Sequence, residues 1–222
     1  MNFADEFARS DQLLNERRTE EAIEGYFEAL ALAENNQQRQ QAWQMVGKTY
    51  RLDRQFDKAY FAFDMSSKLA QSVTTRARIQ RDRAMTLLDQ AMSMARDDEL
   101  LNEAEDELIK SIDTLARDGD NVEAAVSRGI LARVYFMGGK RALARDAFMG
   151  TDAVLSDTKD PRYNIQYELN NLIWFARESF VFRYANAPRA LRLTNTLGQP
   201  HRRNEYLKIL FGRDNLYRNM SA

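Results

Sequence analysis

The chain has 222 residues, enough for one large domain or two small ones, and only three prolines and nine glycines, which leaves long helices uninterrupted. It contains no cysteine, which excludes disulfides and thiolate metal sites, and its longest apolar runs fall far short of a membrane span. The net charge of −1 hides an asymmetry: residues 161–222 carry ten Lys or Arg against four acids, or +6, which leaves residues 1–160 at −7.

The first dozen residues hold early acids and no apolar core of the signal-peptide kind, so no secretory signal is expected and a cytoplasmic location is the default. Residues 2–34 read as a helical hairpin, with Ser10 and Leu13 on its first helix and Ala22, Tyr26 and Ala29 on its second. Glu20, Glu21 and Glu24 suit the positive end of that second helix. The polar run 35–41 reads as a link.

Residues 40–73 give the clearest pattern. Trp43, Gly47 and Tyr50 stand four and three apart and share one helix face; Ala59, Phe63 and Ser66 do the same on a second helix. Gly47 and Ala59 are small where backbones come close, and Trp43, Tyr50 and Phe63 fill the space around them. In residues 74–117, Ala84 and Leu87 match Gly47 and Tyr50, and Ala104, Leu108 and Ser111 match Ala59, Phe63 and Ser66. Between Ala84 and Ala104 lie eight more residues than in the central hairpin, about two helical turns, which longer helices around Asp97, Asp98 and Glu99 would absorb. Residues 122–157 recover the order with Ala132, Tyr135, Gly139, Ala144, Phe148 and Thr151, and Gly138 with Gly139 fits a tight turn. Beyond Pro161 the pattern degrades into an apolar helix near 163–184, short helices opened by Pro188 and Pro200, and a partly disordered end from 213.

The central segment, Trp-x2-Val-Gly-x2-Tyr followed by Ala-x3-Phe, resembles the tetratricopeptide-repeat (TPR) family, with only the family's Leu and closing Pro changed. The resemblance implies an all-α fold: a right-handed superhelical solenoid of four to five hairpins, four of them in residues 1–160. A degenerate last hairpin, a C-terminal capping helix and a basic tail would continue it in 161–222. One hairpin cannot bury its apolar face alone, so neighbours must stack on it.

In that family the first helix of each hairpin lines a concave groove. Carried onto this chain, the groove residues are Gln41, Gln44, Lys48 and Arg51, then Arg78, Arg81, Met85 and Leu88, then Gly129, Arg133 and Phe136, with Phe7, Asp11 and Leu14 in the first hairpin. Such a channel suits a peptide or protein segment that carries acids and one or two apolar anchors. The competing reading is that the arginines pair with Asp53, Asp82 and Asp89 and only keep the stack soluble. The family's carboxylate clamp for chaperone tails is not matched, because Phe7, Asp11 and Met45 stand where its Lys and Asn residues belong.

Catalytic signals are weak. His201 has no Ser, Cys or paired carboxylate at triad spacing, Gly138-Gly139-Lys140 lacks the first glycine of a phosphate loop, and the acidic clusters at 97–99 and 103–107 lack the glycine of a calcium loop. A non-enzymatic scaffold or adaptor with no cofactor, no metal and no membrane contact is expected. The basic end, with Arg202, Arg203, Lys208 and Arg213 among Tyr206, Phe211 and Tyr217, invites three readings: nucleic acid, an acidic surface on a partner or on a second copy, or a solvated cap. A peptide-sensing regulator is a further, minor reading.

Overall fold

The computed structural model describes residues 2–155, 158, 184, 187–196 and 200–211. Among these residues all regular structure is helical. The order is α1 (Phe3–Asn15), α2 (Thr19–Leu32), α3 (Asn36–Leu52), α4 (Phe56–Leu69), α5 (Val73–Ser93), α6 (Asp98–Arg117), α7 (Asn121–Met137) and α8 (Arg141–Leu155), then α9 (Ala187–Thr196) and α10 (Pro200–Leu210). The expected helix near 163–184 lies outside the described residues except for Tyr184, as does the segment from 213 onward.

Side-chain caps start α3, α5 and α6. Asn35 accepts from the Gln38 N–H at 2.9 Å, Ser72 from Thr75 at 3.0 Å, and Asp97 from Glu99 and Leu100 at 3.0 and 3.1 Å. The run 35–41 is therefore not a link. Asn35 caps α3 and the glutamines that follow form its first turns, a start signal that their polarity masked.

The helices pair in sequence as α1–α2, α3–α4, α5–α6 and α7–α8, and each pair packs on the next. Odd-numbered helices also approach the next odd-numbered helix, an approach that no even-numbered pair matches among the described residues. The odd helices thus form the tighter layer. The eight extra residues of the third hairpin enter as length: α5 has 21 residues and α6 has 20, against 17 and 14 for α3 and α4.

The expected stripe is the core. Ala22, Tyr26, Ala29, Ala59, Phe63, Ala84, Leu87, Ala104, Leu108, Ala132, Ala144 and Phe148 are all buried. The largest cluster runs through α5 to α8, and a second joins α1 to α4. Where the stripe ends in a hydroxyl, that hydroxyl ties the hairpin shut. Ser66 and Ser111 donate to the carbonyls of Gln40 and Ala77, at 2.9 and 2.8 Å, on the facing helix of the same pair; Thr151 shares its proton between Ala147 of its own helix at 2.8 Å and Ala125 of α7 at 3.3 Å. Gly139 does not belong to the stripe. It is exposed in the turn between α7 and α8 at φ +77°, where its freedom closes the helix. At the far end, Ala190, Tyr206, Ile209 and Leu210 give α9 and α10 a small core of their own.

Candidate partner-binding face

The residues expected to line a groove fall on the layer of odd helices, and their charges are engaged from one hairpin to the next. On α3, Lys48 lies 3.2 Å from Asp82 of α5, Gln44 donates to the same carboxylate at 2.7 Å, and Arg51 meets Asp89 at 2.6 Å. On α5, Arg78 meets Asp120 at 2.5 Å and Arg81 meets Glu123, both acids at the start of α7. Four cations face four acids in a ladder that crosses three hairpins. Asp82 and Asp89 are partners as the competing reading held; Asp53 instead accepts from the Gln55 amide.

Burial works to raise the Asp82 carboxyl, but Lys48 and Arg81, with the Gln44 amide, outweigh it and hold the group below its ordinary range. Burial also works against the charge on Arg81, and Asp82 with Glu123 outweighs it. Both groups are thus held in their charged forms, and the ladder sets four cationic side chains against four acidic ones. Of its cations Arg78 is the most open, at 42% exposed, against 30% for Lys48 and 11% for Arg51 and Arg81.

The apolar members of the expected groove are mostly not available. Phe136 is 3% exposed and Leu88 fully buried, both inside the α5–α8 core, and Met85 is half-buried against the same core. Helix α7 buries ten of its 17 residues, on all sides, so the step from the stripe that leaves α3 side chains open carries α7 side chains into the interior. Gly129 is buried for the same reason, and Arg133 is half-buried.

An open cleft lies on this face beside the ladder. It occupies about 380 Å³ between α3 and α5 and is lined by Gln37, Gln40, Gln41, Gln44, Leu69, Gln71, Ser72, Thr75 and Arg78. Three of these, Gln41, Gln44 and Arg78, come from the groove expected on sequence. Gln37, Gln71, Ser72 and Thr75 do not, because the reading by repeat position takes one face of one helix and the cleft also uses the α4–α5 turn. Gln40 and Gln44 are held by Ser66 and Asp82, whereas Gln37, Gln41 and Gln71 are exposed. Each amide offers a donor and an acceptor side by side.

On the basic end, Arg203 and Lys208 are exposed on α10, while the Arg202 and His201 side chains and Arg213 lie outside the described residues. Among the described residues there is no cluster of metal-ligating side chains, and no helix is long and apolar enough to cross a membrane. The chain matches no protein-family model and none of the curated proteins. The packed series of helical pairs is thus established by the structure, and what the series does rests on its surfaces.

Proposed function

We propose that the chain is a non-catalytic interaction module of the tetratricopeptide type, which receives an extended segment of a partner protein in the cleft between α3 and α5. The observation that carries this reading is the lining of that cleft: three exposed glutamine amides, two hydroxyl residues and one apolar side chain, Leu69, around an open space. Paired donors and acceptors match the alternating N–H and C=O groups of a peptide backbone, which must replace its water contacts when it binds. Because the ladder answers its own cations, a strongly acidic ligand gains little from Lys48, Arg51 or Arg81. One partner carboxylate can reach Arg78, and one apolar side chain can sit on Leu69.

Random-peptide display on the whole protein tests this. Peptides should be enriched that carry one acidic residue near one apolar residue, and Gln41→Ala combined with Gln71→Ala should weaken them by about tenfold or more, the loss of one or two backbone bonds. Asp106→Asn, on the exposed face of α6, should leave them unchanged. Enrichment of no peptide, or binding indifferent to the two glutamines, would remove the reading.

A further inference from the structure

A second surface lies away from the cleft, where α2 and α4 flank α3. Phe27 of α2, Trp43 of α3 and Phe61 of α4 form a run of edge-to-face rings, with centroids 5.8 Å apart in the first pair and 5.9 Å in the second. Trp43 is half-buried, but Phe27 and Phe61 are 39% and 59% exposed, so two large rings stand in water. A contiguous aromatic patch of this kind marks a contact surface.

The surroundings of the patch are acidic. Glu20, Glu24 and Glu28 stand at intervals of four on α2, and Asp57 lies one turn before Phe61; all four are exposed. The cations one turn from the rings are directed elsewhere. Lys58 sits over the Tyr50 ring at 5.4 Å, and Arg39 donates to the Ala33 carbonyl at 3.1 Å.

The other end of the chain carries the complementary chemistry. Phe211 is 67% exposed and continues the path of α10, its N–H donating to the Leu207 carbonyl at 3.0 Å. The exposed Arg203 and Lys208 flank it at about 80° and 60° around the helix axis, at 3.6 residues per turn. The rings of the patch attract both an aromatic edge and a cation.

We propose that the chain associates with itself head to tail: Phe211 of one copy seats on Phe27, Trp43 and Phe61 of the next, and Arg203 and Lys208 meet the acids around that patch. A second copy is the occupant that the charges favour, since residues 1–160 carry −7 and residues 161–222 carry +6 on the same molecule. Neither surface is covered by the chain's own described residues. The two contacting surfaces differ, so the contact is heterologous, and each copy added leaves one patch and one tail for further copies, in an open chain or a closed ring. It is also weak and salt-sensitive, because few side chains form it and its charges lie at the rim.

Light scattering and sedimentation of the whole chain test this. The mean mass should rise with concentration past that of a dimer and fall toward the monomer at high salt. Phe61→Asp and Phe211→Asp, each at an exposed position and each checked for native helix content and melting temperature, should be monomeric alone. An equal mixture of the two should give a discrete 1:1 dimer, because one intact patch and one intact tail remain. A wild type that stays monomeric, variants that still associate, or a mixture that stays monomeric would each overturn the proposal. So would a monomer whose tryptophan emission shifts on Phe211→Asp, which would place the tail on its own patch.

Discussion

Gly47 is the residue on which the central hairpin closes. A Cβ placed there would lie 2.7 to 2.9 Å from three atoms of the Phe63 ring, and Phe63 is 1% exposed with no room to retreat. Gly47→Ala should therefore cost about 1–3 kcal/mol through overpacking, offset by about 1 kcal/mol of helix propensity. Urea unfolding measures the net loss, and Phe63→Leu in the same chain should recover part of it. A Gly47→Ala chain as stable as the parent would mean that ring and glycine do not meet. Read from sequence, Gly47 is small so that its backbone can meet the one at Ala59; the close neighbour is instead the ring of Phe63. The hydroxyl latches were less legible. Ser66, Ser111 and Thr151 read as small residues, and Ala29 fills the equivalent place in the first hairpin, so the spacing requires small size and leaves the hydrogen bond unannounced.

At the scale of elements, the four hairpins and the α6–α7 link between two of them share one way of turning. The N–H groups of Arg18, Gln55, Arg96, Asp120 and Lys140 each donate to the carbonyl five residues back, at 2.8 to 3.0 Å, and the residue before each donor has a positive φ. Gly119 and Gly139 meet that requirement without strain, and the latter pair of glycines at 138–139 is why this turn was visible in the sequence. Arg17, Arg54 and Ala95 hide the other turns, since nothing in an arginine or an alanine signals a left-handed backbone. A second element-level feature joins α4, α5 and α6. Arg83 of α5 lies against Asp64 at 3.3 Å, Glu103 at 3.7 Å and Glu107 at 3.2 Å, with the Tyr60 ring 5.7 Å away. Burial, opposed by Arg83 and aided by Glu103, leaves Glu107 raised to about 7; its Oε2 is buried without a hydrogen-bond partner. The folded chain therefore holds this proton more tightly than the unfolded chain does. Stability should fall as pH rises from about 4.5 to 7 and then level, by about 1–2 kcal/mol once solvent screening of a partly open pair is allowed for. Glu107→Gln should remove that slope and be the more stable chain at pH 8, as thermal melts across the range would show. An unchanged slope would place the titration elsewhere.

Across the whole molecule the question is what makes four hairpins act as one. An array of stacked pairs is stable through the sum of each pair and its interface with the next, so a weak interface divides it. The apolar clusters already suggest a division, with one running through α1–α4 and the larger through α5–α8. What crosses between them is a small cluster of Ala59, Phe63, Ala70 and Ile79, the contacts of Asp64 and Tyr60 with Arg83 and Gln90, and the charge ladder centred on Asp82. That ladder explains why the candidate groove was only half legible. Sequence spacing places Lys48, Arg51, Arg78 and Arg81 on one face, but their partners stand on the next hairpin, 34 to 42 residues away, beyond any local pattern. Asp82→Asn keeps the shape and the Gln44 contact but leaves Lys48 without its counter-charge and Arg81 with Glu123 alone. Breaking one side of a buried pair in this way should cost about 2–4 kcal/mol, all of it at the α3–α5 interface. Native-state hydrogen exchange should then show the amides of α1–α4 opening as a unit before those of α5–α8, whereas the parent chain opens them together. If the two halves still exchange as one, the ladder only solvates the face, and the apolar contacts of Phe63 and Ile79 carry the coupling.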